Sequence, residues 1–299
     1  MIRNLTKKIC RNMVIAALCL SPSICLSQEY KIGIQAYKGA DKAITEWRPT
    51  AEYLTAKLGK KFTAVPLDDK GLMEAVKEGK VDFFFSNPSI YTELNRQCGA
   101  QAVATLVKSF KNQPMEYVAS SILVRKDSPV QTLADFKGKE FMTRAKSSFA
   151  GWLIVKRLFL EKGIDPDRDF KAVRETKSVE HVVYAVVNGA VDGGAVIAGT
   201  LEEMAHEGKV KMEDFRLINP IADNFPVAHS TPLYPEFPMV AVAHVPANVR
   251  NEVAQALNSL TPSEPAAVSA KIQGWRKPLD YTPVADCMQI VHQGVIAKK

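Results

Sequence analysis

Long apolar runs, blocks of basic residues and the common metal and nucleotide motifs are all missing from this sequence, and each gap removes a class of function. No His-x-x-x-His or Cys-x-x-Cys spacing occurs, so a metal site would need ligands drawn from distant segments. Neither Gly-rich nucleotide loop is present, nor a Gly-x-Ser-x-Gly elbow, which leaves dinucleotide and serine-hydrolase chemistry without a motif. No Lys/Arg block of five or more occurs, so nucleic acid and membrane surfaces lose their electrostatic footprint. The apolar stretches stop short of the ~20 residues a spanning helix needs. No cofactor is called for.

The chain has 299 residues, 46% of them apolar and 24% charged, enough for two cores. Residues 1–27 read as a secretory leader, with Arg3, Lys7, Lys8 and Arg11 ahead of a short apolar centre and Cys25-Leu26-Ser27 as a small-residue ending. An uncleaved anchor is the weaker reading, because Ser21-Pro22-Ser23 interrupts the apolar part. The leader holds four of the 39 basic residues and none of the 32 acidic ones, so the mature chain carries 35 against 32, a net of +3. Three of the five cysteines leave with it. Cys98 and Cys287 remain, in a compartment that permits disulfides, as one bridge or as two separate thiols.

The informative pattern is a repeat. Ala75 to Phe83 reads Ala-Val-Lys-Glu-Gly-Lys-Val-Asp-Phe, and Ala185 to Gly193 reads Ala-Val-Val-Asn-Gly-Ala-Val-Asp-Gly. Each is an apolar helical run stopped by a glycine, followed by a strand opening on Val-Asp. Around each copy the pattern alternates strand and helix. The first half predicts strands at Tyr30 to Ala36, Phe62 to Val65 and from Val81, with helices from Ala43 to Leu58 and Asp69 to Lys77 and Pro49 near the first turn of the longer one. The second half predicts strands at Glu140 to Thr143, Phe170 to Val173 and from Val191, with helices from Phe149 to Lys162 and Val179 to Asn188. Further strands are read at Ala102 to Leu106 and Met239 to Ala243, and closing helices at Asn248 to Leu260 and Ala266 to Ile272. Tyr117 to Val124 and the proline-rich Pro220 to Pro238 are read as two passages between the halves. The organisation expected is a leader at 1–27, the first part of lobe one at 28–116, lobe two at 117–220, and the return passage with the rest of lobe one at 221–299.

In open α/β sheets ligands lie outside the carboxyl ends of strands, so the candidate site residues are sought there. Lys146-Ser147-Ser148-Phe149 stands where a strand ends and a helix begins, where backbone donors, two hydroxyls and the positive end of the helix dipole suit an anion. A plain helix cap is the competing role for either serine. Asn87 and Tyr91 follow the first repeat strand, with Tyr91 placed to form an aromatic wall with Tyr37 or to be an ordinary half-buried helix residue. Thr200, after Gly199, is a helix cap or a ligand hydroxyl. His229 is the one histidine in the return passage.

These residues, taken together, resemble the phosphate/phosphonate-type (PhnD-like) periplasmic solute-binding proteins, and within them the periplasmic sensor domains of tetrathionate-type histidine kinases. The resemblance rests on Lys38-Gly39, Trp47 to Leu54, Gly79 to Phe83 with Asn87-Pro88, Ser147 to Trp152, Ala185 to Gly194, Gly199 to Glu202, Ser230 to Glu236 and Gly274 to Tyr281. It implies a type II periplasmic-binding-protein fold of class α/β: two lobes, each a mostly parallel sheet flanked by helices, joined by two crossover segments. It implies a non-enzymatic monomer that closes on a small anionic ligand, phosphonate- or phosphate-like or a sulfur oxyanion, either for an ABC importer's permease or as a sensing subunit for a histidine kinase. The ligand-binding set is then Tyr37, Lys38, Asn87, Tyr91, Lys146, Ser147, Ser148, Phe149, Ser178, Thr200 and His229. Two departures remove anion donors. Ser178 is followed by Val179 where relatives commonly carry His, and Ile197 stands where sensor relatives often carry Arg, which makes a smaller or less charged solute an alternative.

Overall fold

The computed structural model describes residues 29–293 except 112 and 177, so the expected leader lies outside the described residues. The first half contains β1 (Glu29–Gln35), α1 (Ala40–Leu58), β2 (Lys61–Leu67), α2 (Asp69–Lys77), β3 (Phe83–Phe85), α3 (Pro88–Cys98), β4 (Gln101–Phe110) and β5 (Gln113–Met115). The chain then passes through β6 (Tyr117–Val118) into β7 (Ser120–Arg125), β8 (Glu140–Thr143), α4 (Ile154–Glu161), α5 (Pro166–Asp169), β9 (Ala172–Glu175), α6 (Val179–Val187), β10 (Gly193–Ile197), α7 (Thr200–His206) and β11 (Phe215–Ile218). It returns through β12 (Tyr234–Pro235) to β13 (Pro238–Ala241), α8 (Ala247–Asn258), α9 (Pro265–Ala270), β14 (Ile272–Arg276) and α10 (Thr282–Gln293).

Two sheets result. One has the order β14-β4-β13-β3-β1-β2 with β5 beside β4, the other β11-β7-β10-β8-β9. Both are mixed. β2, β1 and β3 run parallel, as do β9, β8 and β10, whereas β13, β4, β14, β7 and β11 join antiparallel. The parallel part is the β-α-β-α-β unit of each half, and the strands added after a crossing run the other way. The two passages pair with each other: Tyr234 lies opposite Val118 and Pro235 opposite Tyr117.

The repeat has a physical basis in both lobes. The amides of Lys80 and Ala190 reach back to the carbonyls of Ala75 and Ala185, and Gly79 and Gly189 take the left-handed conformation between them, at φ +65° and +69°. The aspartate that follows then pins the start of a neighbouring strand. Asp82 accepts from the Lys31 amide and returns its own amide to the Lys31 carbonyl, and Asp192 does the same with Glu140. Each lobe also seats a helix on a glycine. Leu72 of α2 covers Gly33 in β1, and Val182 and Val186 of α6 cover Gly194 in β10.

Each sheet is covered by apolar side chains on both faces, as its alternation requires. Phe83 and Phe85 enter one layer with Trp47, Leu54 and Trp275, while Phe84 enters the other with Leu72 and Leu94. In the second sheet Ile122, Val124 and Ala195 face Phe141 and Phe159, while Leu123 and Val196 face Val182 and Val186. A further apolar seam spans the lobes: Phe149, Ala150 and Ile154 from the second, Val118 and Tyr234 from the passages, and Tyr281, Val284, Cys287 and Val291 from the last helix and the turn before it.

Several local readings are corrected. α1 begins at Ala40, which places Pro49 in its interior rather than near its first turn. The ring removes the amide that would have bonded the Thr45 carbonyl, and the Ser269 hydroxyl of α9 approaches the carbonyls of Thr45 and Glu46 at 3.3 and 2.7 Å instead. The helix expected to reach Ile272 stops at Ala270. Lys271 takes φ +54° and the chain turns into β14. The helix expected from Phe149 opens with a π turn, Phe149–Leu153, before α4. α10 was not read from the sequence at all. Cys98, half-buried, and Cys287, buried, are both free thiols.

Candidate functional site

The candidate residues stand at strand ends that lead into helices: β1 into α1, β3 into α3, β8 into the π turn and β10 into α7. On the first lobe Tyr37 follows β1, its ring 5.9 Å from Phe237, which directly follows the second passage. Lys38 lies 5.3 Å over the Tyr37 ring and 3.5 Å from Glu46. Behind them Lys108 of β4 pairs with Glu236 at 2.7 Å and stands 5.3 Å from the Phe237 ring. Burial pushes the Tyr37 hydroxyl up to about 12; Lys108 and Arg144 pull it back, and Glu46 and Glu236 reinforce the rise. Arg144 belongs to the loop after β8, so charges from both lobes act on one phenol. Neither Arg144 nor Lys108 was singled out from the sequence. Arg144 opens a loop whose serines drew the attention, and Lys108 lies beyond the point where the β4 pattern was read to end.

On the second lobe the loop Arg144 to Ser148 delivers the π turn. Ser148 is its cap, accepting from the Gly151 amide at 3.1 Å. Ser147 is exposed. Among the described residues nothing accepts from the amides of Phe149 and Ala150 at the start of this helix, and both residues are buried. The Phe149 ring does not share that role. It is buried edge-on against Tyr234 at 5.2 Å, inside the seam between the lobes. Lys146 is exposed, and its amide is tied to Glu175 at 2.6 Å.

Four other candidates are engaged structurally. The Asn87 side-chain oxygen Oδ1 caps α3, accepting from the Ser89 and Ile90 backbone amides, while the Asn87 backbone amide donates to Gln35 Oε1 at 2.7 Å. Gln35 in turn reaches Asp69 at 2.7 Å, a strand-end bridge the sequence did not reveal. Tyr91 pairs with Tyr281 at 4.9 Å rather than with Tyr37, so no aromatic wall joins the two. Ser178 caps α6 by accepting from His181 at 3.2 Å. His229 is 1% exposed, with Nδ1 3.2 Å from the Val227 carbonyl and Nε2 3.3 Å from the Asp223 carboxylate, though out of line for a hydrogen bond. Thr200 is the first residue of α7, and Gly199, at φ +93°, is the cap. No group of three or more metal-ligating side chains occurs among the described residues, and none of their helices is long and apolar enough to cross a membrane.

Comparison with known proteins agrees with this architecture. A family model described as ABC transporter, phosphonate, periplasmic substrate-binding protein matches residues 32–281. The tetrathionate sensor histidine kinase TtrS of Salmonella typhimurium is 29% identical over 289 residues, which are 96% of this chain and 48% of that protein. The chain thus spans about half the length of this relative. Among solved structures, the binding-protein component of an ABC phosphonate transporter from Pseudomonas aeruginosa superposes with a TM-score of 0.69 at 18% identity, over 89% of this chain and 87% of its own. PhnD1 from Prochlorococcus marinus in complex with methylphosphonate gives 0.70 at 14% identity, over 88% and 98%. A Xanthomonas citri protein bound to ATP gives 0.74 at 18% identity, over 90% and 100%.

Proposed function

The chain belongs to the ABC-transporter phosphonate periplasmic substrate-binding protein family, and from that premise we propose that it closes its two lobes on a small oxyanion and presents the occupied form to a membrane permease. The observation that carries this reading is geometric: the Lys108–Glu236 pair lies beside Phe237 and Tyr37 at the strand ends of one lobe, and a helix start capped by Ser148 follows a strand of the other. A bound anion gains contacts to both lobes only when they approach, so it favours the closed form by that difference.

Sensing is the second reading, favoured by the match to TtrS along nearly the whole chain. In that case the closed form reports occupancy to a membrane kinase. The test is a thermal-shift and calorimetry panel of phosphate, methylphosphonate, sulfate and tetrathionate. A ligand at a hundred times its dissociation constant adds about 2.7 kcal/mol to stability. Binding of none of these anions rejects the reading. If one binds, loss of its uptake on gene deletion supports transport, and loss of a transcriptional response with uptake intact supports sensing.

A further inference from the structure

β4 outruns β13 and β3, with β14 and β5 still paired along its far end. Pro238 lies opposite Thr105 and β3 ends at Phe85, opposite Met239, so Leu106 to Phe110 project past the carboxyl end of β3 by on the order of 15 Å. Lys108 is in the middle of that projection. Its Nζ is 2.7 Å from the Glu236 carboxylate and 5.3 Å from the Phe237 ring, which touches Tyr37. Glu236 is fixed by both passages and by the far end of the chain: its amide donates to the Glu116 carbonyl at 3.0 Å and its carbonyl accepts from the Tyr281 hydroxyl at 2.7 Å. Its second carboxylate oxygen accepts from the Phe237 amide at 3.0 Å.

The two partners are buried unequally, Glu236 being 1% exposed and Lys108 27%. An ammonium has three donors, and among the described residues only Glu236 takes one. A buried ion pair is seldom worth more than apolar side chains of the same volume. Placed here it does something apolar residues would not: it sets a cation with donors to spare at the lobe-one side of the cleft, while the carboxylate behind it prevents an uncompensated buried charge.

We propose that Lys108 is a ligand-pairing residue of this site, positioned by Glu236 of the return passage, and that it takes the anionic group of the solute. The inference rests on the oxyanion reading above and adds the residue that supplies the charge. Glu236 is a positioning residue in this scheme and touches no ligand.

The test compares wild type, Lys108→Gln and the double variant Lys108→Gln/Glu236→Gln by calorimetry at low salt, using whichever of phosphate, methylphosphonate, sulfate or tetrathionate the wild type binds, with melting curves alongside. Lys108→Gln is expected to lose affinity at least tenfold and to melt lower, because Glu236 is left buried without its cation. The double variant is expected to regain the melting temperature and not the affinity, and it carries the measurement if the single variant does not fold. Affinity in Lys108→Gln within threefold of wild type overturns the inference and leaves the oxyanion reading standing. Affinity restored in the double variant also overturns it, since the pair would then be structural. A wild type that binds none of the four anions overturns the oxyanion reading and this inference with it.

Discussion

Raising the pH above 9 is expected to weaken the seam between the lobes through a single thiol. Cys287 is fully buried in α10, among Phe149, Ile154, Val284 and Val291, with its Sγ 3.8 Å from the Leu153 carbonyl. Burial pushes the thiol up to about 11 from 9.0; Arg157 and the Tyr234 hydroxyl offset part of the rise. The folded protein therefore holds this proton more tightly than the unfolded chain does. The contribution is intact below pH 9 and is lost as the pH rises from 9 toward 11. Each unit of difference corresponds to about 1.4 kcal/mol, so the loss is about 1.4 kcal/mol by pH 10 and at most about 3 kcal/mol. Urea unfolding of wild type and Cys287→Ala at pH 8, 9 and 10 in reducing buffer isolates it. The tyrosines that burial raises start from 10.0 in the unfolded chain, inside this window, but Tyr37 and Tyr281 are common to both proteins and cancel in the comparison. Wild type should lose about 1.4 kcal/mol more than the variant between pH 8 and 10. Parallel profiles would refute the argument, as would labelling of Cys287 in the native protein at the rate of the half-buried Cys98.

Further predictions concern the lobes separately. Gly194→Ala places a methyl 2.6 Å from Val182 Cγ1 and 3.0 Å from the Met142 carbonyl oxygen, which is backbone and does not yield; a loss of about 1–3 kcal/mol is expected in denaturant melts. Gly33→Ala meets only the end of Leu72 at 2.7 Å before contacts relax to 3.5 Å, so it should cost less, and the reverse order would contradict the packing described. Ser148→Ala removes the cap of the π turn, costing about 1 kcal/mol, and should weaken anion binding without unfolding the protein; unchanged affinity in calorimetry would take this loop out of the site. Ser269→Ala leaves the Thr45 and Glu46 carbonyls without the hydroxyl that replaces the Pro49 amide, a loss of about 1 kcal/mol readable in a melting curve.

What the sequence disclosed and what it withheld divide along physical lines. The twin junctions were legible because a left-handed glycine and the aspartate after it act locally, within a few residues of chain and one strand pairing. One cap was legible as well, Ser148, whereas Asn87 and Ser178, read only as ligand residues, turn out to cap helices and Thr200, read as a cap, does not. The pieces that were missed depend on distant partners. α10 has apolar side chains at Val284, Cys287 and Val291, separated by ordinary polar residues, and only the seam it enters gives that spacing a purpose. Lys108 is one lysine among many until β4 is seen to run past β13 and meet Glu236, 128 positions on. Tyr91 meets Tyr281 edge-on because α3 and α10 are neighbours, which no pattern near residue 91 announces.

The last helix also constrains how the molecule can move. Its apolar side is held by both lobes at once, against α3 on one and α4 on the other, behind the paired passages. Opening that contact would return several large side chains to water at about 1.5–3 kcal/mol apiece, more than a weakly bound solute supplies. If the lobes close as proposed, travel is therefore expected away from this helix, and the contact it makes stays shut. A partner that distinguishes filled from empty would then find almost no difference there.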